Sequence, residues 1–134
     1  MRFLVQISLV AAGSAIGGLL RWGVSVWSGR LLGSALPWGT FLINISGSFF
    51  LGWILTVLAE RMPLAQGRWL RPDDLRLMLA VGFAGAYTTF STFEWESNSL
   101  IRDGQGLAGF GYMLASVAAG LVALRLGMVL GKAM

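Results

Sequence analysis

The sequence predicts an all-α membrane protein, a single domain over residues 1–134 made of four transmembrane helices, the third broken near mid-membrane. Three observations predict it. Of the 134 residues 56% are hydrophobic and only 12% charged, a balance too apolar for an ordinary water-soluble domain. Four stretches each reach the roughly 20 largely apolar residues that a helix needs to cross a bilayer. The connections between them are short, which sets each helix antiparallel to the next and brings both ends of the chain to one side.

The first span covers about residues 3–27, uncharged from Phe3 to Leu20 and continuing past Arg21. One basic residue, Arg2, is a thin leader for a cleaved signal, so the segment is read as a span. The second covers about 37–59 and opens with Pro37, placed where a helix has no use for the missing N–H. The third, about 75–100, follows Asp73 and Asp74, acidic residues suited to a helix N-terminus. The fourth covers about 107–130.

Many of the 19 glycines fall inside the spans, with Gly13-x-x-x-Gly17 in the first and Ser116 to Gly120 at the same spacing in the fourth. Apolar burial does not drive helices together in lipid, so close approach over small residues does, and the pattern predicts a tight bundle with a partner chain. Arg2, Arg61, Arg68, Arg71, Arg76 and Lys132 fall on the side of the termini, against Arg30, Arg102 and Arg21 on the other. That bias places both termini in the cytoplasm.

The chain has no Cys and no His, which excludes thiol chemistry, imidazole bases and the usual zinc sites. Glu60, Asp73, Asp74, Glu94, Glu96 and Asp103 show no ligand or triad spacing, so an enzyme is not expected. Glu94 and Glu96 are read as a solvated vestibule or helix-end pair. The basic residues are scattered without interleaved aromatics, so nucleic acid is not an expected partner.

Polar residues inside spans carry the functional information, because lipid makes them expensive. Asn44, Ser46 and Ser48 interrupt the second span; a buried Asn must find partners for two donors and two acceptors. In the third span Gly82 to Thr89 gathers poor helix formers, and a break there is tolerated only where freed backbone groups face protein, a cavity or an ion. Beyond it, helical spacing puts Phe90, Phe93 and Ser97 on one face and Thr88, Thr92 and Ser99 on another. On spacing alone the Phe pair suits a packing stripe as well as a pore wall, where the positive ring edges attract an anion. The hydroxyls suit either donation to an ion or back-bonding to carbonyls four residues earlier.

The stretch GFAGAYTTFSTFEWE, Gly82 to Glu96, resembles the third-span signature of the CrcB/Fluc fluoride channel family, which reads close to GGxTTFSTFSxE. GSAIGGLLRW and PWGTFLINISGSF match further family elements in the same order, so the resemblance covers essentially the whole chain. It implies passive, fluoride-selective export across the bacterial plasma membrane by an antiparallel, dual-topology dimer with two pores. The dimer is either a homodimer or a heterodimer with a related subunit.

By matched position the resemblance makes Phe90 and Phe93 pore-lining ring edges and Asn44 an amide donor along the path, with Thr89, Ser91 and Thr92 completing the polar motif. It makes Arg21 an anion-attracting vestibule residue. Gly85 and Thr88 would give backbone carbonyls to a structural Na+ at the dimer interface. The chain departs from the pattern at Ala86, Tyr87 and Glu94, where the family often has Gly, a Leu-like residue and Ser. In the fourth span Gly120 and Leu124, followed by Arg125, stand where the family often carries hydroxyls, Ser116 being the nearest. Two competing readings are a small multidrug exporter, which needs a first-span carboxylate that residues 3–27 lack, and a non-transporting assembly protein.

Overall fold

The helices begin and end where the local chemistry directs. Pro37 accepts the Phe41 N–H through its carbonyl at 3.1 Å and opens a helix at Trp38. Asp74 reaches back to the Arg71 N–H at 3.1 Å, satisfying one of the orphan donors of a helix start. Gly33 and Gly104 take positive φ, 75° and 81°, at the two reversals among the described residues that glycine accommodates without strain.

The computed structural model describes residues 2–61 and 71–134. In order the chain forms α1 (Arg2–Leu32), α2 (Trp38–Arg61), α3 (Pro72–Arg76), a π-helical stretch (Leu77–Ala84), α4 (Gly85–Tyr87), α5 (Phe90–Arg102) and α6 (Gly106–Ala133). The third predicted span is therefore composite, running from α3 to α5 and interrupted at Thr88–Thr89. Among the described residues three helices, α1, α2 and α6, are long and apolar enough to cross a membrane; the break keeps the third span from being one continuous helix. The connection expected from Arg61 to Pro72, with Arg68, lies largely outside the described residues. The first helix is longer than expected, running past Trp27 to Leu32.

Two glycine seams hold the bundle. On α2 and α6, a Cβ on Gly52 would collide with the Leu124 carbonyl, and one on Gly127 with the Phe49 carbonyl. On α1 and the π-helical stretch, Gly13 lies on the Met78 carbonyl and Gly17 on the Phe83 carbonyl, while a Cβ on Gly82 would come 2.7 Å from the Val10 carbonyl. The expected Gly13/Gly17 pattern is thus a helix contact. The Ser116/Gly120 spacing marks a looser one: a Cβ on Gly120 would meet only Ser48 Oγ of α2, at 3.7 Å. Gly82 was expected to help break the helix, but it serves close approach of α1 and the chain stays helical through Tyr87.

The bundle turns its large side chains outward. Leu107 is 91% exposed and Leu114 73%, whereas the buried apolar set is small, chiefly Ile43, Ile54, Leu58, Tyr87, Phe93 and Tyr112. That inversion of a soluble core suits a lipid-facing surface. Arg2 pairs with the buried carboxylate of Asp74 at 3.8 Å, tying the start of α1 to the start of α3.

Candidate functional site

The break at Thr88–Thr89 is a defined structure. Thr88 is extended (φ −80°, ψ 160°) and so is Thr89 (φ −150°, ψ 119°). Thr89 caps α5: its Oγ1 accepts the Thr92 N–H at 3.2 Å and lies 2.9 Å from Thr92 Oγ1, as Ser and Thr do at helix N-termini. In an unbroken helix the Thr89 N–H would bond to the Gly85 carbonyl. Here it donates to Asn44 Oδ1 at 2.9 Å, while Asn44 Nδ2 donates to the Thr89 carbonyl at 3.0 Å. One side-chain amide therefore pairs with both backbone groups of one residue, which fixes the amide's orientation and leaves Asn44 a second N–H.

This pairing answers where the freed backbone groups go. It also leaves the Gly85 carbonyl without its usual donor and the Thr88 carbonyl outside the regular helical geometry. Gly85 is exposed, and a Cβ there would have one neighbour within 4 Å, the Ala80 carbonyl at 3.8 Å. Carbonyls outside the regular helical ladder at such a break fit a hard monovalent cation, as in other unwound membrane helices. Thr88 Oγ1 donates its proton to the Ala84 carbonyl at 2.9 Å and keeps its lone pairs.

A cavity of about 280 Å³ adjoins the break, lined by Asn44, Gly47, Ser48, Gly85, Thr89 and Phe90 among others. Toward the Arg102 end of α5 a second, of about 400 Å³, is lined by Ser28, Thr40, Glu96, Ser99 and Asp103 among others. The rings of Phe90, which lines the first cavity, and Phe93 follow the break along α5. Phe93 is buried and stands 5.5 Å from Tyr112 between centroids. Phe90 is 5.9 Å from Phe93 but 70% exposed. The two rings expected on one face thus have different surroundings within a single subunit.

Other expectations need correction. Thr88, Thr92 and Ser99 do not form one helical face, because the extended step separates Thr88 from α5; the Thr88 methyl lies where a Gly47 side chain would be. Glu96 is not a solvated partner of Glu94. Its carboxylate accepts from the buried Thr40 hydroxyl at 2.9 Å and from Tyr112 at 3.4 Å, while Glu94 is exposed. Sequence reasoning missed this trio because its members come from three helices. The signals were Glu96 at the final Glu of the motif and a Tyr in an otherwise apolar fourth span. Ser91 and Thr92 are exposed, and Arg21 is partly exposed, with no ion-pair partner among the described residues. Leu124 turns its backbone to Gly52 and Arg125 points outward, whereas Ser116 Oγ is buried with no hydrogen-bond partner among the described residues.

A small helical bundle with a polar break in its third span, three membrane-length apolar helices and a greasy exterior is a multi-pass membrane protein. Residues 8–128 match the family model described as CrcB-like protein, Camphor Resistance (CrcB), and the chain belongs to the CrcB family. It is 42% identical over 127 residues to the fluoride-specific ion channel FluC of Chloroflexus aurantiacus, covering 95% of each chain. The FluC of Acidobacterium capsulatum is 45% identical over 123 residues, 92% of this chain and 93% of that one. That of Rhizobium leguminosarum bv. trifolii is 39% identical over 131 residues, 98% of this chain and 99% of that one.

Proposed function

We propose that the chain is a subunit of a fluoride-selective channel that lets fluoride leave the cytoplasm passively across the bacterial plasma membrane. The near full-length similarity to fluoride-specific FluC channels supports the ion. The Asn44–Thr89 clamp is the observation that carries the path. Moving a small hydrated anion into low dielectric costs tens of kcal/mol by a Born estimate unless water is replaced. The spare Asn44 N–H and the unpartnered Ser116 hydroxyl supply donors. Thr89, Ser91 and Thr92 add hydroxyls near the break, and Phe90 and Phe93 offer positive ring edges. Arg21 raises the local anion concentration at a vestibule.

The exposed ring of Phe90 supports an assembly in which each pore draws on two subunits, here an antiparallel dimer with two pores, from two copies or from this chain and a related one. In that dimer the carbonyls of Gly85 and Thr88 would hold a structural sodium ion, which supplies fixed positive charge at the interface. Nothing in this scheme is enzymatic. Fluoride efflux from proteoliposomes holding this chain alone, with chloride as competitor, tests it. Fluoride-selective flux is expected; equal chloride flux, or none for either ion, refutes the reading for the lone chain.

A further inference from the structure

One turn of α2 grips three consecutive residues at the break. Asn44 clamps the Thr89 peptide. Gly47 admits the Thr88 methyl, and a Cβ there would also come 3.1 Å from the Tyr87 ring. Ser46 Oγ lies 2.9 Å from the Tyr87 hydroxyl. The direction of that last bond follows from valence. Ser46 has one hydroxyl proton and directs it to the Leu42 carbonyl at 2.7 Å, so Tyr87 donates and Ser46 accepts.

The ring is held as firmly as the hydroxyl. Tyr87 is 7% exposed, stacks on Phe83 at 5.7 Å and 5°, and Phe83 in turn meets Phe50 edge-on at 4.9 Å. Tyr87 is the last helical residue before the break and lies between Gly85 and Thr88 in the chain. Packing alone would be served by the Leu-like residue of the resembling sequences. The hydroxyl adds a directional tie from the end of α4 to α2.

We infer that Tyr87 is a positioning residue, whose bond to Ser46 holds the turn bearing the Gly85 and Thr88 carbonyls in the form that binds a small monovalent cation. The inference rests on the sodium reading proposed above. Without the bond the last turn of α4 is free to adjust, and cation binding must then restore its order, which weakens affinity.

The test is thermal unfolding of the detergent-purified full chain across a sodium series, with N-methylglucamine holding ionic strength constant. Bound ligand stabilises the folded form by RT ln(1 + c/Kd) at sodium concentration c, so the sodium series yields the Kd. Tyr87→Phe keeps the ring and removes the donor; Ser46→Ala removes the acceptor and serves if the first variant fails to fold. Each is expected to raise the sodium Kd about fivefold, the ratio one neutral hydrogen bond sustains. The double variant is expected to add little, because both changes delete the same bond. A lower unfolding temperature at every sodium concentration with an unchanged Kd overturns the inference and leaves the sodium reading standing. A wild-type chain that sodium does not stabilise overturns both.

Discussion

Removing the Asn44 side chain tests the centre of the site. Asn44→Ala deletes two hydrogen bonds, of 2.9 and 3.0 Å, from the Thr89 peptide. Thr89 is buried, so its N–H and carbonyl are left short of partners. A buried unpaired group costs about 1–3 kcal/mol, so two cost roughly 2–6 kcal/mol, less whatever the N–H regains by bonding to the Gly85 carbonyl. That regained bond closes the break and occupies a carbonyl proposed for sodium. Fluoride efflux from liposomes is therefore expected to fall at least about a hundredfold, the equivalent of roughly 3 kcal/mol, with a lower unfolding temperature in detergent. Ser48→Ala, which lines the same cavity, is the control and is expected to unfold near the wild-type temperature. Wild-type flux and stability in Asn44→Ala would refute the argument, since the break would then hold without its clamp.

Three further outcomes follow from the packing. Gly127→Ala is expected to abolish monodisperse protein in size-exclusion chromatography, because its methyl would meet the Phe49 carbonyl; Gly23→Ala, with nothing within 4 Å, is expected to behave as wild type, and a normal Gly127→Ala profile contradicts the seam. Phe90→Ile and Phe93→Ile are both expected to reduce fluoride flux, but only Phe93→Ile to lower the unfolding temperature markedly, since it alone is buried; unchanged flux in both would return the rings to a packing role. Glu96→Gln keeps acceptor oxygen for Thr40 and is expected to unfold near the wild-type temperature. Glu96→Leu strands two hydroxyls and is expected to lose about 1–3 kcal/mol, measured by thermal unfolding.

The three long apolar helices and the glycine contact of α1 were legible because they depend on residue type and spacing alone. Asn44 was legible as a group in need of partners, though not as a clamp, since its partner lies 45 residues away on a peptide that only the break exposes. The same limit hid Glu96, whose partners Thr40 and Tyr112 come from helices on either side of it in sequence. Helical counting misplaced Thr88 because an extended step resets the angular register. The hydroxyls divide: Thr88, Ser97 and Ser99 bond back to carbonyls four residues earlier, as their residue types allow, while Thr89 caps a helix that sequence did not show beginning there.

The π-helical stretch Leu77–Ala84 has a consequence for how the chain tolerates insertion and deletion. Bonding five residues apart instead of four accommodates about one residue more than an α-helix of the same length. Deleting one residue between 77 and 84 would let the stretch relax to regular α geometry with the register after it largely kept, so Tyr87 would still face Ser46 and Thr89 would still face Asn44. The same deletion in α5, which is regular α-helix, has no such reserve and would turn everything after it by about 100°. The segment that leads into the break is thus the one place in the third span where the chain can lose a residue and keep the site.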